Sequence, residues 1–556
     1  MVVLGVADGL DTGACLILDD RPVAVEHQER HDRIPHTRQF PWKAIDAALM
    51  HAGLGPRDVD LIAVAGRFTP PFFLRRHPEL RRTSRDPFSV AVDAKVFFQA
   101  MLRQTGWGAM EADRAADWLD QRFRERGFEH QRIVLVDMHR ALAAAAYRSQ
   151  ADDTALILTL HPMGDGVACA VHRGCAGQVD KLWEQKGFSS LHVHLQRCAS
   201  AIGFEPVFED QRMWTAAGRG RPVPDLVTAL ESELHADGPR LSRRSFPMPE
   251  SRWESVYKQL STMDKDAAAA SVYENLRAAV CKLVEHHIAE HGIPVLTVGG
   301  AIFDNPRLCA DVAALDAVER LWVNPEPGWG SLGLGAAVSY AGLHPRLLEI
   351  PGLGQSFDDE ACQAAALGLG LDGDQVEDPA RHVVNAVAEG KGVGRFAGPG
   401  GFGRAGSGSR SVLVRGDRPD DVDRVRRALG RDPDEEPLAI VLADEPSLDD
   451  LDRSAIAGPL RYGVIAPLVP NEFAMRYPAL VSDDGRAHLM LVDRETDRAL
   501  FDILVGLRDR TECGAIAVWP LARGNGPVVT LPGDAVRLYR DVGMDALLLG
   551  STWIAG

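Results

Sequence analysis

The chain opens on three short apolar runs, Val2–Ala7, Ala14–Leu18 and Pro22–Glu26, and the Gly/Asp-rich turn Asp8–Gly13 divides the first two. Apolar runs of this length bounded by turn residues read as strands, so the chain begins as an antiparallel meander. A helix follows over Pro41–Ala52, with Ile45, Ala48 and Leu49 at helical spacing. The same grammar returns further on: a buried strand at Arg132–Asp137, an alanine-rich helix over His139–Ser149, then a hairpin of Thr154–Leu160 and Gly166–His172 joined by His161-Pro162-Met163-Gly164-Asp165. Hairpins alternating with strand–helix units predict an α/β domain reaching roughly residue 345.

The proline- and glycine-bearing segment Leu343–Ser356 reads as a linker. Beyond it, helices are expected at Asp358–Leu369 and Asp378–Glu389, and a strand at Gly392–Phe396 runs into the most glycine-rich stretch of the chain, residues 398–411. That stretch reads either as an anion-binding loop, with backbone N–H groups and Arg410 meeting a phosphate, or as a surface loop. Near the end of the first part, Ile293–Val298 is an apolar strand closed by Gly299-Gly300, where a ligand or another backbone can approach closely. No solenoid-type repeat or low-complexity tail is visible.

With 556 residues the chain is long enough for two or three cores. A net charge of −17 argues against nucleic-acid binding, which needs clustered cations. Apolar runs such as Ala155–Leu160 are too short to cross a bilayer. The opening residues lack the basic and apolar regions of a signal peptide. The eight cysteines include no CxxC pair. No membrane association and a cytoplasmic location are therefore expected. His287 and His291, four apart, read as residues of a solvated helix rather than a metal pair, and His192 and His194, alternating with Leu191, Val193 and Leu195, as a half-exposed face.

The ordered set of segments resembles the O-carbamoyltransferases that modify nodulation factors, cephems and aminoglycosides. The resemblance is carried by residues 28–37 (Gln-Glu-Arg-His-Asp-Arg-Ile-Pro-His-Thr), Phe40-Pro41, Val136-Asp137, Met163-Gly164-Asp165-Gly166, Gly299-Gly300, and Gly328 with Gly335-Ala336-Ala337. It continues through Phe402-Gly403, Gly408-Ser409-Arg410-Ser411, Pro527–Ala535 and Asp545–Gly550. It implies an actin/hexokinase-like N-terminal domain over 1–345 and a threonylcarbamoyl-adenylate-synthase-like α/β domain over 357–556. In such enzymes carbamoyl phosphate and ATP give a carbamoyl-adenylate, and the N-terminal domain, with a bound metal, passes the carbamoyl group to a substrate hydroxyl.

The residues at the expected working positions are different here. The resemblance places metal ligands at 138, 142, 161 and 329, which hold Met138, Leu142, His161 and Trp329. Two ligands four apart share a helix face, but a thioether with one imidazole is a poor set for iron or zinc. The family's His-Asp pair is Leu10-Asp11, its lysine is Gln211, and Trp214 fills a glycine position. A segment normally rich in Arg and Lys reads Asp432-Pro433-Asp434-Glu435-Glu436, reversing the field that a triphosphate needs.

The expectation is thus a non-enzymatic family member of natural-product biosynthesis, a partner or regulatory subunit of an active homologue or other biosynthetic enzyme, and itself a homo-oligomer. The alternative is an active or repurposed transferase that carbamoylates a hydroxylated small molecule with ATP and carbamoyl phosphate. No metal or other cofactor is expected, with ATP and a divalent or iron ion required only if the family activity persists. Asp11, Arg30, Arg33, His36, Asp137, His139 and Asp165 are expected to line a cleft open to a small molecule, or else to pair with one another. Gly299, Gly300, Gly328 and Arg410 are the candidate nucleotide or phosphate contacts. If the cleft is a site, Arg30→Ala or His36→Ala should remove its binding while leaving the melting temperature nearly unchanged.

Overall fold

The computed structural model describes residues 1–77, 107–204, 211–243, 253–342, 344–346, 348, 352–403 and 408–555. Arg404 and the side chain of Gln211 lie outside the described set.

The opening meander forms as expected: β1 (Val2–Ala7), β2 (Gly13–Leu18) and β3 (Arg21–His27) pair antiparallel. β4 (Leu61–Ala65) and β5 (Arg132–Val136) then add in parallel beside β1, giving the order β3-β2-β1-β4-β5. A second sheet repeats this plan. β6 (Ala155–Gly164), β7 (Val167–Cys175) and β8 (Gln178–Lys186) make an antiparallel meander, and after the small hairpin β9 (Leu234–Asp237) and β10 (Arg240–Arg243), β11 (Val295–Gly299) and β12 (Arg320–Val323) add in parallel beside β6. Read from the meander edge, the second order is β8-β7-β6-β11-β12, the same connectivity as the first. This doubling is the actin/hexokinase-like arrangement.

Each sheet is followed by a helix, Met138–Arg148 after β5 and Leu332–Ala341 after β12, and the two helices pack on one another between the halves. Gly335 permits the contact, because a Cβ there would fall 1.9 Å from the Ala141 carbonyl oxygen. Gly335→Ala is therefore expected to destabilise the fold by about 1–3 kcal/mol, the usual cost of overpacking a well-packed core, measurable as a lower urea midpoint.

A third, eight-stranded sheet carries the rest of the chain. It comprises β13 (Asp374–Gln375), β14 (Val393–Phe396), β15 (Arg410–Arg415), β16 (Leu438–Leu442), β17 (Leu489–Val492), β18 (Ala515–Pro520), β19 (Ala546–Leu549) and β20 (Thr552–Ala555), in the order β13-β20-β19-β14-β15-β18-β16-β17. The helices Pro379–Ala388, Arg498–Thr511 and Pro532–Val542 bury apolar faces against it.

Three local expectations are corrected. The turn placed at 161–165 is shorter: β6 runs on to Gly164 across an irregular register, and only Asp165 and Gly166 turn, both at positive φ. His192 and His194 lie on the helix Leu191–Ile202, capped by Ser190, and both are buried. The helix bearing His287 and His291 is not simply solvated, because His287 is 1% exposed. Among the described residues, no helix is long and apolar enough to cross a membrane.

Candidate functional site

The two hairpin turns, one from each half, place Asp11 and Asp165 at equivalent points of the doubled fold, both with left-handed backbone (φ 47° and 54°). Around Asp11 gathers one group of candidate residues. His36 Nδ1 lies 2.8 Å from Asp11 Oδ1, and the His36 N–H donates to Glu29 at 2.9 Å. Asp11, Glu29 and His36 each bring one donor atom within 4.8 Å of the others. Arg30 sits nearby and approaches Glu326 at 3.9 Å, while His27 approaches the same carboxylate at 3.2 Å.

Glu326 and Asp304 are acids that carry no motif, yet both belong to this neighbourhood. Burial pushes the Glu326 carboxyl up to about 8, against the pull of Arg30, with Asp304, Glu29 and Asp11 adding repulsion. Asp304 is raised well above its ordinary range by burial and then by Asp11. His27 is pushed the other way by burial, with Arg30 and His31 reinforcing the shift. Near neutral pH the His27–Glu326 contact is thus between a neutral ring and a protonated acid.

A folded pKa above the unfolded value means that the stability held by protonated Glu326 drains away as pH rises towards 8. Buried neutral His27 contributes the opposite slope only below pH 6.5. Between pH 6.5 and 8, Glu326→Gln is therefore expected to lose less stability than the parent chain, by about 1–2 kcal/mol at 1.36 kcal/mol per pKa unit. Urea midpoints at the two pH values check this.

The second group surrounds the start of the helix Met138–Arg148. Asp137 caps it, accepting from the Arg140 N–H at 3.0 Å. Asp165 accepts three backbone N–H groups, from Arg67, Phe68 and Met138, at 2.7–2.9 Å. Burial and the charge of Asp137 raise its pKa against those bonds. His139 is buried between Thr159 Oγ1 (2.8 Å) and the Val167 carbonyl (3.0 Å). These contacts brace the two halves.

Trp329 fills the space between the groups. Its ring packs 4.1 Å from the His161 ring, centroid to centroid, and its edge lies 3.6 Å from where a Cβ of Gly9 would stand on the first hairpin turn. Trp329 is 4% exposed and His161 1%. The His161 Nδ1 faces the Ala301 N–H at 3.3 Å, which assigns the proton to Nε2 and leaves that atom without a lone pair for a ligand. Burial, then His139 and His192, hold the ring neutral. Met138 packs its thioether against Gly164, and the Leu142 carbonyl approaches Gly299. Thioether, hydrocarbon, N–H imidazole and indole do not fit iron or zinc.

The remaining candidates are tied to the chain itself. Arg30 donates to the carbonyls of Gly401 and Gly403, and Arg33 to that of Val528, so both reach across to the C-terminal part instead of bridging to Asp11 or Asp165. Arg30→Ala is accordingly expected to lower the melting temperature, contrary to the expectation of an unchanged one. What approaches the diglycine is backbone: a Cβ at Gly300 (φ 104°) would meet the Leu160 carbonyl oxygen at 2.0 Å, and at Gly328 the near neighbour is the Asp304 carboxylate. Arg410 lies over Phe396 at 3.8 Å and donates to the carbonyls of Ala397, Ser409, Gln355 and Gly398. Burial lowers its pKa to about 9.

The acidic segment at 432–436 faces arginines of the N-terminal part. Arg212 meets Asp432 at 3.3 Å, Arg219 meets Asp434 at 2.8 Å, and Arg307 meets Glu436 at 2.7 Å and also bonds Asp484.

The fold and this site define a two-part α/β protein, a doubled actin/hexokinase-like body joined to a mixed eight-stranded sheet. Residues 384–555 match the family model of the carbamoyltransferase C-terminus. Over 97% of its length the chain is 24% identical to the nodulation protein NolNO of Sinorhizobium fredii, covering 78% of that protein. It is 22% identical to protein sll1178 of Synechocystis over 97% of its own length and 94% of the relative, and 23% identical to NolO of Bradyrhizobium diazoefficiens over 74% and 77%. Among solved structures, Lmo2764 of Listeria monocytogenes, a candidate N-acetylmannosamine kinase, aligns over 61% of this chain and 97% of its own at 13% identity and a TM-score of 0.29, too low to carry further argument. The C-terminal part thus matches the carbamoyltransferase C-terminus, and nearly the whole chain is similar to a nodulation protein.

Proposed function

We propose that this chain is a member of the carbamoyltransferase family, acting in natural-product biosynthesis, that has lost the family's metal and phosphate chemistry. In this reading it serves as a partner or regulatory subunit of an active homologue or another biosynthetic enzyme, in the cytoplasm, as a homo-oligomer, with domains over 1–345 and 357–556. The observation that carries the reading is the packing of Trp329 on His161, where the family resemblance expects an ion. Two further observations support it. The guanidinium of Arg410 is engaged by four backbone carbonyls. The carboxylates at 432–436 pair with Arg212, Arg219 and Arg307, so those cations are engaged by the protein rather than open to a triphosphate.

One observation favours a second reading, metal-independent chemistry in the same cleft: Asp11 and His36 form a carboxylate–imidazole pair of the kind used in proton transfer. Titration calorimetry with ATP and with carbamoyl phosphate separates a silent C-terminal domain from a working one. No saturable heat is expected, and micromolar binding of either would contradict the loss of phosphate chemistry.

A further inference from the structure

The 27-residue helix Lys265–His291 ends on His286-His287-Ile288-Ala289-Glu290-His291. Spacings of three and four place His287, Glu290 and His291 on one face. His287 Nδ1 lies 3.6 Å from Glu290 Oε2 and His291 Nε2 lies 3.9 Å from it, while the two imidazoles stack at 5.9 Å with an interplanar angle of 4°. One donor atom from each residue falls within 4.8 Å of the others.

A separate fact points to a missing ligand. His287 is 1% exposed, yet neither ring nitrogen forms a hydrogen bond, and His291 Nε2 is likewise buried without one. Buried polar atoms are nearly always paired, so three in one cluster call for a partner. The Pro239 carbonyl, at the turn between β9 and β10, lies close enough to favour a protonated ring but outside ordinary hydrogen-bond geometry. Trp183 closes one side of the cluster at 5.2 Å from the His287 ring.

We propose that His287, Glu290 and His291 form a binding site for a divalent transition-metal ion of the zinc, nickel or copper class, at the end of the N-terminal domain remote from the cleft. Two imidazoles and a carboxylate suit such an ion, whereas magnesium and calcium prefer oxygen. Bonds of about 2.0–2.2 Å to a tetrahedral ion need donor atoms about 3.3–3.6 Å apart, which small side-chain rotations reach from the observed spacing. The helix C-terminus adds its own attraction for a cation. The location follows from the topology: the helix feeds the start of β11 at Val295, and β11 ends at Gly299, beside the cleft helix at Leu142. The ion would pin the helix end beside the β9–β10 turn, and the proposal is independent of the reading of the cleft.

The test uses the full chain stripped of metal with a chelator and titrated with Zn2+, then with Co2+ as a spectroscopic probe. One ion per chain, micromolar affinity and a raised melting temperature are expected. His291→Ala and Glu290→Gln change partly exposed side chains (21% and 52%). Each is expected to weaken binding roughly tenfold or more while leaving metal-free melting unchanged. No stoichiometric binding, or binding that survives His291→Ala, overturns the proposal. Binding lost with His161→Ala but kept with His291→Ala would place the ion in the cleft, overturning this site and the reading of the cleft together.

Discussion

Replacing Trp329 with alanine is expected to cost the fold about 3–5 kcal/mol, the range for deleting a buried aromatic side chain. The indole is 4% exposed, packs at a tilt on His161 and lies against the first hairpin turn at Gly9. Its removal would leave a cavity between the two halves, next to acids whose charge is already disfavoured. Trp329→Asp should cost at least as much. It would bring a carboxylate into a neighbourhood where Asp304 is raised well above its ordinary pKa, with no cation added to balance it. Urea unfolding of the two variants measures this, and a loss below about 1 kcal/mol for the alanine variant would show that the indole is not a packing element.

Arg307→Ala is the second large effect. The side chain is 5% exposed and bonds both Glu436 and Asp484, each 26% exposed, at the contact between the two parts of the chain. Removing one partner of a buried pair strands the others, which costs about 3–5 kcal/mol when all are buried. Partial exposure of the acids reduces this to about 2–4 kcal/mol. Because the contact links the parts, calorimetry should also show their unfolding separate into two transitions. A single transition at an unchanged temperature would show that the pairs do not couple them.

The elements that sequence alone made visible are those whose cause is local. Val2–Ala7 and Ala14–Leu18 alternate with turn residues, and the helix after β5 follows from its alanine run and the cap at Asp137. The doubling of the first two sheets had no such cause, because it lies in the order of strand pairing and not in repeated residues. His192 and His194 misled for a related reason: a five-residue Leu-His-Val-His-Leu run fits a period of two, while the Ser190 cap and longer helical context decide the outcome. The carboxylates at 432–436 are plain in the sequence, but their partners Arg212, Arg219 and Arg307 lie more than a hundred residues away in it. Arg30, Arg33 and Arg410 looked like ligand contacts because guanidinium groups serve both anions and carbonyls, and only the tertiary structure supplies the carbonyls.

The central claim is that packing, not an ion, occupies the place bounded by Met138, Leu142, His161 and Trp329. Crystals soaked in Fe2+ and in Zn2+, with anomalous difference maps collected at each metal's edge, test it most directly. No peak is expected among those four side chains, even where one is found beside His291. A peak within bonding distance of His161 Nε2 would contradict the account.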